Sequence, residues 1–507
     1  MFELLGTGII DIVQWKYVIP LCLGTLIGII GGALPGVTIT MTIIVVLPFT
    51  FGLDPLQGLS AMVGVYVGGE SGGLITACLL GIPGTPSAVA TTFDGFPMAR
   101  KGEPGRAVWL GVWASFFGGL IGGVFLIAAT TPLAKLALEF GPWEYFSLFI
   151  LALSMVAGLV ETSIAKGLLS GAIGLVITII GTDPILGVPR LHFETDFLKS
   201  GFPFLPVLIG IFAFAQIMSE IEVMQPGGRV ANAVTNAPRL AVSHLKVIGE
   251  ILSRPILLAW SSVIGLIIGI LPAIGGSAAS MMAYDQAKKF SKHPEQFGTG
   301  IPEGIIASES SNNANVGGSL VTIMAFGIPG DAVTAVMLGA MTIHGIQSGP
   351  LFMLQQPVLA YGIFAAYLVS LVVTVLIIAA TARYMLAITS VPKSILVPIV
   401  LVLCVIGAYA LNNTIGNVHV LLLWGVIGYL MVKGGLPLAP LILGLILGDQ
   451  IEINLIRAIQ TDSDPWLFVT RPISGGLLAL SVASVFYALW QHHRQQRNAP
   501  HQSDADF

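Results

Sequence analysis

Apolar runs long enough to cross a bilayer follow one another along most of this chain. They are repeatedly broken by glycine and proline. The sharpest break is "LLGIPGTPSAV" at 79–89, and "GIPG" returns at 327–330 in "MAFGIPGDAVT". A proline removes a backbone donor and a glycine loosens the helix. In hydrocarbon every backbone polar group needs a partner, so irregular backbone survives at depth only where it is buried in protein or lines a wet cavity. A chain written this way is restricted to helices, with breaks that neighbouring helices must enclose.

Composition supports the membrane reading. Only 9% of the 507 residues are charged and mean hydropathy is +0.90, against roughly a quarter charged in soluble domains. Spans need about 20 apolar residues, and the pattern predicts an all-α polytopic membrane protein with roughly a dozen membrane segments. A net charge of −4 gives no reason to invoke nucleic acid. Cys22, Cys78 and Cys404 stand singly in apolar segments and read as small hydrophobes. The N-terminus carries Glu3 and Asp11 rather than a basic leader, so the first helix is expected to be retained. Walker A, HExxH and G-x-S-x-G motifs are absent, and no enzyme is indicated.

Shifting the chain by 246 residues lays 66–84 on 312–330, matching Gly72, Leu74, Thr76, Gly81, Ile82, Pro83 and Gly84 with their counterparts through Gly327, Pro329 and Gly330. Upstream, "GGALPGVTIT" resembles "IGILPAIGGSAAS". Lysine and arginine favour the cytoplasmic side. The loop after the first "GIPG" holds Arg100, Lys101 and Arg106, whereas the one after the second has no basic residue. The loops after "LPG" and "LPA" show the opposite bias. The repeats are therefore expected to be inverted. The expected linear organisation is a first half at 1–218, a cytoplasmic connection at 219–254, a second repeat at 255–380, C-terminal transmembrane helices at 381–490 and a polar, disordered cytoplasmic tail at 491–507.

Short interrupted segments in corresponding halves point to a transporter site at the midplane. A helix restarting at depth presents free N–H groups that hold carboxylates without a buried cation. Thr85 suits the cap and Pro86 the first turn of the first restart, with Ser87 beside them, and Asp331 is a natural cap of the second. The stretch 308–315 concentrates Ser308, Glu309, Ser310, Ser311, Asn312, Asn313 and Asn315. Polar groups at that depth are costly without a role. Gly81, Pro83, Gly84, Thr85, Pro86, Ser87, Ser310, Asn312, Asn313, Gly327, Pro329 and Gly330 are the expected substrate contacts. Glu309, Ser308, Asn315, Asp331, Thr38 and Ser277 are the expected ligands of a coupling ion, Na+ or H+, with no other cofactor. Glu70 and Ser71 hold the matching place in the first copy, and Asp94 reads as a turn residue.

"DGFPMARKGEPGRA", the paired "GIPG" segments, "EGIIASESSNNANVGGSL" and "GIPGDAVTAVMLGAMTIHGIQSGP" together resemble the large membrane subunit of tripartite tricarboxylate transporters, the TctA family. The resemblance implies a bacterial inner-membrane carrier working with a small membrane subunit and a periplasmic solute-binding protein. It implies ion-coupled uptake of citrate-like di- and tricarboxylates in the lipid bilayer, and it is compatible with a dimer of the membrane complex. Asp331 departs from the small or hydroxyl residue of the family pattern, and Ser308 and Ser310 depart around the shared Glu. Alternatives from other classes are a passive organic-anion channel and a membrane scaffold for a receptor.

Overall fold

The computed structural model describes residues 2–158, 163–183, 185–194, 198–223, 240–272, 274–388 and 391–498. Among these the chain is almost entirely helical; two residues, Gly181–Thr182, pair antiparallel with Pro189–Arg190. Among the described residues, eight helices are long and apolar enough to cross a membrane, or nine if His244–Leu252 and Pro255–Ile270, bent by 79°, form one broken span. Shorter apolar helices lie at Ile39–Thr50, Ile164–Thr178, Ala332–Ile343 and Ser394–Ala410. The protein is an all-α polytopic membrane protein.

The helices cluster into two compact units, Met1–Glu139 with Pro203–Leu430, and Phe140–Phe202 with Met431–Phe507. These packing units cut across the five linear segments. In the second unit, Arg190 bonds Glu452 at 2.5 Å, and Arg471 bonds Glu144 at 2.6 Å while its guanidinium lies over the Trp143 ring. The polar connection at 219–254 is partly helical. His244–Leu252 buries Val247 and Ile251, and Trp109 donates to the Leu240 carbonyl at 3.1 Å. Residues 224–239, including Arg229 and Arg239, lie outside the described residues. The tail expected to be disordered from 491 is helical as far as Asn498.

The first unit contains both copies of the repeat. We label α1 (Trp15–Ala33), α2 (Ile39–Val46), α3 (Pro55–Leu80), α4 (Val89–Arg100) and the long α5 (Pro104–Leu138) in the first half. In the second are α6 (Pro255–Ile270), α7 (Gly275–Phe290), α8 (Pro302–Phe326) and α9 (Ala332–Ile343). Both long central helices stop in the same way. Gly81 ends α3 at φ 69° and Gly327 ends α8 at φ 71°, left-handed positions that glycine adopts without strain.

After each stop the chain dips back alongside its own helix. Gly84 N–H donates to the Gly73 carbonyl at 3.3 Å, and farther along α4 Gly95 meets Cys78. Thus α4 starts beside the middle of α3 and runs back in the same direction. The packing is duplicated. A Cβ added to Gly32 would lie 2.2 Å from the Gly69 carbonyl oxygen, and one on Gly84 2.1 Å from that of Gly32. In the second copy, a Cβ on Gly269 would lie 2.3 Å from the Asn315 oxygen, and one on Gly330 2.4 Å from that of Gly269. Helix α4 also runs along α8 in the opposite sense: Thr91 meets Ser308, and Asp94 reaches the amide of Ile301. The equivalent helices α3 and α8 therefore run in opposite directions.

Because these glycines sit against backbone, no side chain can move to make room. Gly84→Ala and Gly330→Ala are each expected to cost about 1–3 kcal/mol through overpacking. Gly6→Ala, with nothing within 4 Å of the added atom, serves as the control. Thermal unfolding followed by size-exclusion chromatography checks the order; equal midpoints in all three variants would contradict it.

Candidate functional site

Four helices in the repeats begin after a break, and their starts are finished differently. Helix α2 is capped by Thr38, whose Oγ1 accepts from Met41 N–H at 3.1 Å and donates to Gln216 at 3.3 Å. Helix α9 is capped by Asp331 in a full capping box: Oδ1 accepts from Thr334 N–H at 2.8 Å, and Thr334 Oγ1 accepts from Asp331 N–H at 2.9 Å. The Asp331 carboxylate also accepts from the Tyr66 hydroxyl and from Ser319 Oγ at 3.3 Å. It is a buried carboxylate in a donor cradle built by its own chain.

The other two starts lack a side-chain cap. Thr85 precedes a 3-10 turn at Pro86–Ala88 that runs on into α4, and its hydroxyl lies 3.0 Å from Ser87 Oγ rather than on a backbone amide. Ile274, which cannot cap, precedes α7. These two open starts meet. A Cβ built on Gly276 would lie 3.4 Å from Ser87 Cβ and 2.5 Å from Asn312 Oδ1, and one on Gly275 would lie 3.7 Å from Asp331 Cβ. Glycine at the start of α7 thus lets Asn312 Oδ1 approach its backbone, with Ser87 and Asp331 nearby.

The polar stretch 308–315 is entirely inside the protein. Asn312 Nδ2 donates to the Glu70 carbonyl at 3.4 Å, and Ser71 Oγ donates to Asn313 Oδ1 at 3.2 Å, so the two long helices cross here. Asn312 Oδ1 and both amide atoms of Asn315 are buried without a hydrogen-bond partner, which is uncommon in a folded interior. Glu70 Oε2 accepts from Ser87 Oγ at 2.6 Å.

Glu309 faces elsewhere. Its carboxylate accepts from the Thr91 hydroxyl and from Ser115 Oγ at 2.8 Å, on α4 and α5. Ser308 Oγ is 3.0 Å from Thr91 Oγ1, and Ser310 Oγ reaches back to its own helix at 3.5 Å. The structure thus gathers Ser87, Asn312 and Asp331 around Gly275 and Gly276, with Thr85 bonded to Ser87. Ser277 stands one residue on, half-buried. Thr38 bonds instead to Gln216, and Glu309 with Ser308 joins α4 and α5. Gly81, Pro83, Gly84, Gly327, Pro329 and Gly330 form the dips that set these positions.

Residues 18–443 match the tripartite tricarboxylate transporter TctA family. The chain belongs to this family. It is 34% identical over 476 residues to an "Uncharacterized 52.8 kDa protein in TAR-I ttuC' 3'region" of Agrobacterium vitis, covering 94% of this chain and 93% of that one. A second protein of that organism, "Uncharacterized protein in TAR-II ttuC' 3'region", is 34% identical over 235 residues, 46% of this chain and 97% of its own length. No solved structure gives a significant match. The family is one of transporters, and this subunit is its multi-pass membrane component in an assembly with other subunits.

Asp94 has a role that its sequence context does not reveal. It lies within α4, fully buried, and its Oδ1 accepts from the backbone amides of Gly298, Gly300 and Ile301 at 2.9, 2.7 and 3.0 Å. Its Oδ2 accepts from Tyr284 at 2.8 Å. It latches α4 to the start of α8. Asp94→Ala would strand three amides and a phenol, an expected loss of about 3 kcal/mol or more, and Asp94→Asn would lose less. Thermal unfolding should rank wild type above Asp94→Asn above Asp94→Ala; no loss in the alanine variant would remove the latch.

Proposed function

We propose that this chain is the translocating subunit of a secondary active carrier that imports di- or tricarboxylates with a cation gradient. It works in a bacterial inner membrane beside a small membrane subunit, fed by a periplasmic solute-binding protein. The observation that carries the reading is the meeting of two uncapped helix starts inside the protein. At Ser87 and Gly276 two helix starts without a side-chain cap, and with them two positive dipole ends, converge with no arginine or lysine among their described contacts. That chemistry suits a carboxylate at membrane depth. The start of α9 is already filled by Asp331, so the anion is assigned to α4 and α7, with Asn312 beside them and Asn313 next along α8. This asymmetry narrows the symmetric site expected from the two "GIPG" motifs.

The opposed directions of α3 and α8, together with the reversed charge bias of the flanking loops, support repeats inverted in the membrane. Alternating access would then move one body against the other.

In proteoliposomes, labelled carboxylate should show saturable uptake and counterflow. Conductance without exchange would favour a channel, and absence of flux with all partners present a scaffold. Asn312→Ala and Asn313→Ala should each reduce uptake at least about tenfold, the equivalent of about 1.4 kcal/mol, while the protein stays monodisperse. Wild-type uptake by both would remove this stretch from the site. Lys101→Cys and Gln347→Cys, at equivalent exposed loop positions, should label from opposite faces of the membrane. Labelling from one face would refute inversion.

A further inference from the structure

Asp331 occupies the start of α9 in the way a bound carboxylate would. It accepts from the Thr334 amide at 2.8 Å, from Ser319 Oγ on α8 at 3.3 Å and from the Tyr66 hydroxyl on α3. Each of these partners donates, and they come from three helices. Asp331 is buried, and so are Tyr66, Ser319 and Thr334. A free helix start draws anions through its unpaired amides and positive dipole end. At α9 the chain supplies that anion itself.

The start of α9 also adjoins the place assigned above to the substrate carboxylate. The Cβ that Gly275 would carry lies 3.7 Å from Asp331 Cβ, and the one that Gly276 would carry lies 3.4 Å from Ser87 Cβ. Gly275 and Gly276 are consecutive, with Cα atoms about 3.8 Å apart. Ser87 and Asp331 therefore meet neighbouring residues of α7. On the α3 side, Glu70 Oε2 accepts from Ser87 Oγ at 2.6 Å. No lysine or arginine is found among the described hydrogen bonds and ion pairs of Glu70, Ser87 and Asp331. A carboxylate held at α4 and α7 thus has an acidic side chain on either flank and no cation to offset further negative charge.

The geometry points to Asp331 as a specificity-determining residue that limits how many carboxylates the substrate carries, favouring dicarboxylates over tricarboxylates. Like charges a few ångströms apart in a low-dielectric interior repel strongly. With one carboxylate held at α4 and α7, a dicarboxylate has one more, which can turn away from both acidic neighbours. A tricarboxylate has two more on separate carbons, and the donors at α9 that suit one of them are already used by Asp331. This assignment rests on the carrier reading above and sharpens its substrate class.

The test compares glutarate with tricarballylate, which adds one carboxylate to the middle of the same carbon chain. Purified full-length protein in nanodiscs is titrated with each acid at constant ionic strength, and apparent affinity is read from the saturable shift in thermal unfolding. The wild type should bind glutarate at least about tenfold more tightly, the equivalent of about 1.4 kcal/mol. Asp331→Asn keeps a capping oxygen without the charge, and Asp331→Ser also vacates space beside Tyr66 and Ser319. Both should largely erase the preference for glutarate. A lower unfolding midpoint in both variants with the preference unchanged would reduce Asp331 to a helix cap and overturn the assignment. Equal affinity for the two acids in the wild type would overturn it as well, while leaving the anion site standing. No response to either acid in the wild type and both variants would overturn the assignment together with the anion site.

Discussion

The structure depends on how backbone hydrogen-bonding groups are finished where helices stop inside a membrane protein. Lipid supplies no partners, so each interrupted helix must be closed by neighbouring protein. Here closure is achieved by extreme proximity. Gly84 and Gly330 press onto the carbonyls of Gly32 and Gly269, and Gly32 and Gly269 press onto those of Gly69 and Asn315. With backbones this close, the dips are held without long side chains, and the space at their bottom is left to a few small polar groups.

The duplicated architecture was largely legible in the sequence because glycine and proline act locally. A left-handed stop and a tight dip need the same few residues wherever they occur, so "GIPG" reports its own geometry twice. The cap by Asp331 was legible for the same reason, since a capping box is contained within four consecutive residues. The buried polar run at 308–315 could be read from its cost alone.

What could not be read was long-range. Asp94 looks like a turn residue because its partners are backbone amides at 298–301, and amides carry no sequence signature. Whether a helix start is open depends on one side-chain rotamer: Thr38 turns onto its own helix, and Thr85 turns toward Ser87. The separation of Glu309 from Glu70 arises because Glu309 faces α4 and α5 while Asn312 faces α3. The two packing units, each made of distant stretches, follow from tertiary pairing that local composition does not encode.

The Asp94 latch carries a mechanical consequence. Its counterpart position in the second copy is Ala340, which can accept nothing through its side chain. The first re-entrant helix is therefore bonded by side chains to both copies: through Ser87 just before it to its own, and through Thr91 and Asp94 to the other. The described side-chain bonds that fasten the second to α3 and α8 lie at its start, through Asp331 with Tyr66 and Ser319. Two elements alike in packing are thus unlike in leverage. Losing one side chain therefore weighs differently on the two: α4 is tied to the other repeat through Thr91 and Asp94 together, whereas the described side-chain bond of α9 to α3 runs through Asp331.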